Sequence, residues 1–204
     1  ALKASKVAAT AAMRLKLCLR NFDPVITTPD MSGDSRGGGG HHNVRMPELP
    51  EVEVTRATLC ERLLGATVQG ATLGKPLRWP LGCAAADLVG LKAGAMGRRG
   101  KYLWLPLAND VQAGGLLLHL GMSGSLNLSD APAPPGPHDH FDLRTTRGTL
   151  RLTDPRRFGA VVWSDGLAVD PAAKLLARLG QEPFDPALTP AALHRALKSR
   201  RVAI

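Results

Sequence analysis

The stretch TLRLTDPRRFGAVVW, Thr149 to Trp163, reads as a strand, a tight turn and a second strand. Two short runs rich in Leu, Val and Trp flank Asp154-Pro155, residues that break a strand and favour a turn. The turn carries Arg156, Arg157 and Phe158 between the two runs. Five further runs of the same kind lie upstream: ATVQGATL (66–73), LVGLKAGAM (88–96), KYLWLPL (101–107), GGLLLHL (114–120) and HFDLRTT (140–146); TLRLTD (149–154) and GAVVWSD (159–165), the two runs of the opening stretch, close the series. Seven strands at this spacing predict an antiparallel sandwich or barrel. SDAPAPPGPHD (129–139) reads as an exposed Pro-rich loop.

Helical spacing brackets the strands. Val52, Leu59 and Leu63 recur on one face between Glu51 and Leu64, and Gly65 stops the run as a left-handed cap. Glu48, Glu51 and Glu53 crowd the first turn, where the helix dipole favours acids. Near the end, Thr189 can cap a helix whose first residue is Pro190, and AALHRALKSRRVAI continues it. Residues 1–45 differ in kind. Residues 1–22 hold five basic residues and no acid, consistent with a transit-type segment or a leader read as protein, and MSGDSRGGGGHH reads as a flexible linker.

The 204 residues are 44% hydrophobic, which fits a globular fold, and their formal net charge is +9. Residues 46–204 keep 19 basic and 14 acidic residues, so the excess does not depend on the N-terminal segment. A basic surface favours polyanions, nucleic acid first. Cys18, Cys60 and Cys83 form no C-x-x-C, which fits neither a disulfide framework nor a zinc site. His138 and His140 are two apart but lack an evident third ligand, and no apolar run is long enough to span a membrane.

Met46-Pro47-Glu48 looks like a start in the interior of the chain. An N-terminal proline is a secondary amine that can attack a sugar carbon and expel a base, and the cation it forms stays charged and acidifies the neighbouring proton. A carboxylic acid one residue away can protonate the opening ring. Locally, the plainer reading is a proline-initiated helix with acids in its first turn. Four other stretches bear on the choice: GRRGKYLWL with Arg98, Arg99 and Lys101 at a strand entry; LLHLGMSGSL, whose Gly-rich turn displays Met122; HDHFDL; and the DPRRFG turn.

PELPEVE, HLGMSG and DPRRFG, in this order, resemble the formamidopyrimidine-DNA glycosylase family of base-excision repair, over Met46 to Ile204. The resemblance implies an α+β fold, an N-terminal helix plus an antiparallel β-sandwich, followed by the first helix of a helix–two-turn–helix domain. It divides the chain into a leader (1–45), a glycosylase sandwich domain (46–170) and a connector with the start of the second domain (171–204). It implies removal of oxidised purines such as 8-oxoguanine and formamidopyrimidines, with abasic-site lyase activity. Pro47 would be the Schiff-base nucleophile, Glu48 the acid that opens the sugar, and Lys101 a phosphate contact and proton donor in elimination. His119 and Arg157 would grip phosphates. Met122, Arg156 and Phe158 would fill the gap left by a flipped nucleotide, and Arg156 would read the base opposite. His138 and Arg200 fall at DNA-contacting positions. The expected partner is duplex DNA with damaged bases or abasic sites, bound by a monomer inside the cell, with no membrane partner.

Two departures from the family bear on activity. Residues 1–45 acylate Pro47, whose nitrogen is then neither basic nor nucleophilic. The chain also stops where the family continues into the rest of the second domain and a zinc finger, so this chain is expected to bind no zinc. The rival expectation is therefore an inactive DNA-binding fragment; a more distant one is a general nucleic-acid-binding sandwich with an incidental Pro-Glu pair.

Overall fold

The computed structural model describes residues 46–198; the leader segment 1–45 and Arg200 lie outside the described residues. Helix α1, Leu49–Leu63, buries Val52, Leu59, Cys60 and Leu63 on one face. Its start is fixed by Glu51, whose Oε2 accepts the Glu48 backbone N–H at 3.1 Å. Its end is fixed by Gly65, at φ +78°, whose N–H then donates to the Ala93 carbonyl at 2.8 Å.

Nine strands follow: β1 Val68–Leu73, β2 Lys92–Ala93, β3 Gly97–Arg99, β4 Tyr102–Ala108, β5 Ala113–His119, β6 Ser125–Ser129, β7 Asp139–Thr145, β8 Gly148–Thr153 and β9 Ala160–Ser164. One sheet has the order β1-β7-β8-β6. The other has the order β2-β4-β5-β9, with β3 also paired to β4. Every pairing between these strands is antiparallel. The fold is thus α+β, a helix joined to an antiparallel sandwich. Each of the seven runs read from the sequence contains a strand.

The two strands not read there have weak hydrophobic signals. β3 is Gly-Arg-Arg and is held by backbone pairing to β4. β6, SLNLS, offers two leucines to the core side and polar residues to solvent at a sheet edge. β2 and β3 both pair with β4 but are separated opposite Pro106, which has no N–H to contribute to a ladder. A short 3₁₀ helix, Ala85–Leu88, and helix α2, Ala172–Leu176, also lay outside the sequence reading.

The core lies between the sheets. Leu103, Leu105 and Leu107 of β4 alternate inward and meet Leu116 and Leu118 of β5, with Phe141, Leu143, Leu150 and Leu152 from the facing sheet. Each such side chain contributes about 1.5–3 kcal/mol when fully buried. β9 is buried along its whole length, and α2 packs against it. On β5, Gly114 and Gly115 make room for two tryptophans. A Cβ at Gly115 would stand 2.5 Å from the Leu105 carbonyl oxygen and 2.6 Å from Trp104 Cζ2; one at Gly114 would stand 2.4 Å from Trp163 Cζ2. The Pro-rich segment is exposed throughout residues 131–138. Helix α3, Pro190–Lys198, starts as its sequence predicts, with Thr189 Oγ1 accepting the Ala192 N–H at 3.1 Å. It buries none of its residues, and Leu193 and Leu197 are exposed.

Gly115→Ala is expected to lower unfolding stability by about 1–3 kcal/mol, because the carbonyl in its way belongs to a paired strand. Gly97→Ala meets nothing within 4 Å, so it should shift stability by less than about 0.5 kcal/mol. Urea unfolding of the two variants checks the contrast; equal effects would refute the packing argument.

Candidate nucleic-acid interface

The register of one sheet gathers the chemistry. Tyr102 pairs with His119 and His119 pairs with Ala160, so the start of β4, the end of β5 and the start of β9 share one end of the sheet. Immediately beyond these residues lie Lys101, the Gly121–Gly124 turn with Met122, and the Asp154–Gly159 turn with Arg156, Arg157 and Phe158. The N-terminus of α1 reaches the same end: Lys101 Nζ lies 3.2 Å from Glu48 Oε2 and 3.3 Å from Oε1. Pro47, half-buried, directly precedes Glu48. The sequence-predicted Pro47, Glu48, Lys101, His119, Met122, Arg156, Arg157 and Phe158 thus come from four separate segments to one place.

What holds Lys101 there was not visible as a motif. Arg98 Nε bonds Glu53 Oε2 of α1 at 2.7 Å, and Arg98 Nη1 bonds Glu182 Oε2 at 2.8 Å. Arg99 Nη1 also reaches Glu182, at 3.0 Å, and the Gly100 N–H donates to the same carboxyl. Arg56 closes the network on Glu53 at 2.7 Å. The sequence reading placed Glu53 only in the helix dipole and did not single out Glu182, which is 84 residues from Arg98. Gly100, at φ +56°, takes the turn that leads into Lys101.

Burial alone would raise the Glu53 carboxyl, but bonds and charges from Arg56 and Arg98 outweigh it and leave it below the ordinary value. Glu182 behaves alike: burial opposes, and the Gly100 N–H with Arg98 and Arg99 prevails, lowering it. For His119, burial pushes the imidazole below its ordinary value, and the Lys101 and Arg78 cations push it further, against a weaker pull from Asp154. The Gly121 N–H donates to His119 Nδ1 at 3.0 Å, so the neutral ring carries its hydrogen on Nε2. Tyr102 lies against that ring, centroids 4.7 Å apart. Arg78 and exposed Trp79, whose ring lies 5.8 Å from the Arg78 guanidinium, were missed; the basic–aromatic pair in RWP was the available signal.

The two turns have defined shapes. Arg157 sits at φ +56°, and the guanidinium of Arg156 lies 5.2 Å from the Phe158 ring centroid. Phe158 is 46% exposed, an apolar side chain displayed beside cations. His138 is exposed, and its carbonyl accepts the Asp154 N–H at 2.8 Å, which places it beside the second turn. His140 is buried with Nε2 2.9 Å from the Asp154 carbonyl, so the two histidines do not share one environment. Cys60 is buried in the core, Cys83 is free, and among the described residues no group of three or more His, Cys, Asp or Glu is placed to hold a metal. These donors do not fit the zinc that the family resemblance implies elsewhere. Among the described residues no helix is long and apolar enough to cross a membrane.

Comparison with known proteins agrees with this architecture. The model of the formamidopyrimidine-DNA glycosylase N-terminal domain matches residues 46–161, more than half the chain. The formamidopyrimidine-DNA glycosylase of Albidiferax ferrireducens is 53% identical over 159 residues, 78% of this chain and 57% of that protein. That of Polaromonas naphthalenivorans is equally similar, with the same coverage. Among solved structures, Lactococcus lactis Fpg in complex with DNA containing N7-benzyl-Fapy-dG superposes with a TM-score of 0.52 at 32% identity, over 58% of this chain and 44% of that one. The same enzyme with abasic-site DNA gives 0.52 at 31% identity over the same shares. The chain belongs to the formamidopyrimidine-DNA glycosylase family. It spans a little over half the length of the curated relatives named here.

Two measurements test the electrostatics. Carboxyls held below their unfolded values contribute fully above the ordinary glutamate pKa of about 4.3, and that contribution is lost as pH falls through the lowered folded values. The thermal midpoint should therefore hold from about pH 7 to 5 and fall below, and Glu182→Gln should lower the neutral midpoint and flatten the acid limb. An unchanged acid limb would remove Glu182 from that role. Separately, the NMR titration midpoint of His119 should lie below the ordinary histidine value, and Lys101→Ala should raise it; no upward movement would refute the influence of Lys101.

Proposed function

We propose that this chain carries the catalytic half of a base-excision DNA glycosylase with abasic-site lyase activity, acting on oxidised purines in duplex DNA. The observation that carries the reading is the Glu48–Lys101 pair at 3.2 Å, set beside Pro47 at the sheet end that also displays His119 and the two turns. Family membership supports the same reading.

The proposed chemistry begins with a nucleotide flipped out of the duplex, which costs a few kcal/mol. Met122 and Phe158 fill the gap, and Arg156 hydrogen-bonds the edge of the orphaned base, which a plain cation does less selectively. Lys101, His119 and Arg157 hold phosphates, and His138 adds a contact at the margin; these fix register without reading sequence. Arg200 is proposed as a further DNA contact. The Pro47 nitrogen attacks C1′, the glycosidic bond breaks and the base leaves with its electron pair. Glu48 protonates the ring oxygen as the sugar opens, giving an iminium. That cation acidifies the C2′ proton, which passes to solvent water; the freed electron pair forms the C2′–C3′ double bond as the C3′–O bond breaks, and the 3′ phosphate leaves with that bond's electron pair, taking a proton from Lys101.

Every step from the attack at C1′ onward requires Pro47 as a free secondary amine. In the 204-residue chain its nitrogen is bonded to Met46. That bond favours a second reading for the unprocessed chain, duplex binding without catalysis. We propose a monomer that needs no metal among its own residues.

Borohydride trapping on abasic DNA separates the readings. The 1–204 chain should give no adduct, residues 47–204 a weak one, and residues 47–204 joined to a family second domain a strong one. In the last protein, Glu48→Gln should impair base excision more than elimination at a ready-made abasic site. Arg157→Ala should weaken damaged and undamaged duplexes alike and reduce the log–log salt slope by about 0.9. A Pro47 adduct from an intact, N-terminally verified 1–204 chain would overturn the mechanism.

A further inference from the structure

Asp154 is wholly buried beneath the two turns of the site. Its Oδ1 accepts the Ser123 hydroxyl at 2.6 Å and the Arg156 N–H at 3.2 Å; its Oδ2 accepts the Gly159 N–H at 2.7 Å. Ser123 belongs to the turn that displays Met122, whereas Arg156 and Gly159 belong to the turn that displays Arg156 and Phe158. One carboxyl group therefore spans both turns with neutral donors. Its backbone carbonyl adds two more bonds, from the Arg157 N–H at 3.2 Å and from His140 Nε2 at 2.9 Å. His140 is itself buried, with Nδ1 unpartnered among the described residues, so its polar contact is directed at Asp154.

The turns are also in contact without any side chain between them. A Cβ on Gly121 would lie 2.6 Å from the Gly159 nitrogen and 2.7 Å from the Phe158 carbonyl carbon. One on Gly159 would lie 3.0 Å from the His119 carbonyl oxygen. Backbone pressed on backbone transmits displacement, because neither surface has a rotamer with which to yield. A carboxyl group is costly to bury unless its oxygens are bonded, and here the bonds that satisfy it are those that join the turns.

We infer that Asp154 is a positioning residue that locks the Met122 turn and the Arg156–Phe158 turn into one unit, so that gap filling and reading of the opposite base occur together. The inference rests on the DNA role proposed above for Met122, Arg156 and Phe158. Ser123 is the lever that tests it. Among the described residues the Ser123 hydroxyl is hydrogen-bonded to the second turn through Asp154, and its removal leaves the other two bonds to the carboxyl group intact.

In Ser123→Ala, hydrogen exchange of the 204-residue chain without DNA should accelerate about fivefold at the amides of Gly121, Gly124, Arg156, Arg157 and Gly159 together, as expected for one lost hydrogen bond in a shared opening unit. The amide of Gln112, at the far end of the same sheet, should not change. Acceleration confined to residues 121–124 would overturn the inference. On duplexes with an abasic-site analogue opposite each of the four bases, Ser123→Ala should narrow the spread of affinities, and Ser123→Thr, which keeps the hydroxyl, should restore it. An unchanged spread, with both turns loosened, would also overturn the positioning role. Failure of the unsubstituted protein to bind any duplex would instead refute the DNA-binding function, and the exchange comparison would still decide whether the turns are coupled.

Discussion

The Arg98 guanidinium, bonded to Glu53 on one side and Glu182 on the other, is the constraint from which the site takes its geometry. Glu53 belongs to the helix capped by Glu48; Glu182 belongs to the segment after β9; Arg98 belongs to the strand that turns into Lys101. Three regions distant in sequence are thereby fixed to one another by charge-assisted hydrogen bonds, which are shorter and stronger than neutral ones. Arg98 is only 13% exposed in its side chain. The arrangement is interdependent, since deleting Arg98 takes one cationic partner from each of two half-buried carboxyls and leaves Glu53 with Arg56 and Glu182 with Arg99. It is also directional: the planar guanidinium presents its donors in a fixed fork, which a lysine could not reproduce.

The sandwich supplies the platform on which that network acts. Inward-alternating leucines of β4 and β5 fix the register, because a one-residue slip would send Leu103, Leu105 and Leu107 to the outer face. The same register sets Tyr102 opposite His119 and His119 opposite Ala160. Core packing at one level of the sheet therefore decides which side chains meet at its end. The two glycines of β5 serve opposite faces: Gly115 lets Trp104 lie close to the strand on the outer face, and Gly114 does the same for Trp163 on the core face. Apolar burial and site geometry are two outcomes of one alternation.

The seven strong strand runs, the first helix with its Gly65 stop and the Thr189-Pro190 helix start were legible because each depends on local chemistry. β3 and β6 were not, since Gly-Arg-Arg and Ser-Leu-Asn-Leu-Ser pair through their backbones and offer little hydrophobic contrast. For the site, the motifs named eight residues that the fold brings together, and a ninth, His138, that joins them through its carbonyl. What escaped was the support beneath them. Glu182 looks like any surface acid until Arg98 is beside it, and Asp154 reads as a turn former until its buried oxygens are seen to hold two turns. Long-range partners of this kind leave no periodicity or spacing in the chain, so one-dimensional reasoning finds the displayed residues and misses the buried ones.

Arg157 adopts the left-handed backbone region at φ +56°, where a residue with a side chain pays a steric penalty of roughly 1–2 kcal/mol that glycine escapes. The reversal it makes lets its two neighbours, Arg156 and Phe158, lie over one another. Glycine or asparagine would satisfy the backbone better, so the arginine stands against the local preference of the chain. This makes position 157 a historical marker. Under the phosphate role proposed for Arg157, a descendant that no longer binds DNA would drift there toward glycine, while the leucine core would stay under selection for folding. A related chain with an intact sandwich and a glycine at this place would record a domain that outlived its work.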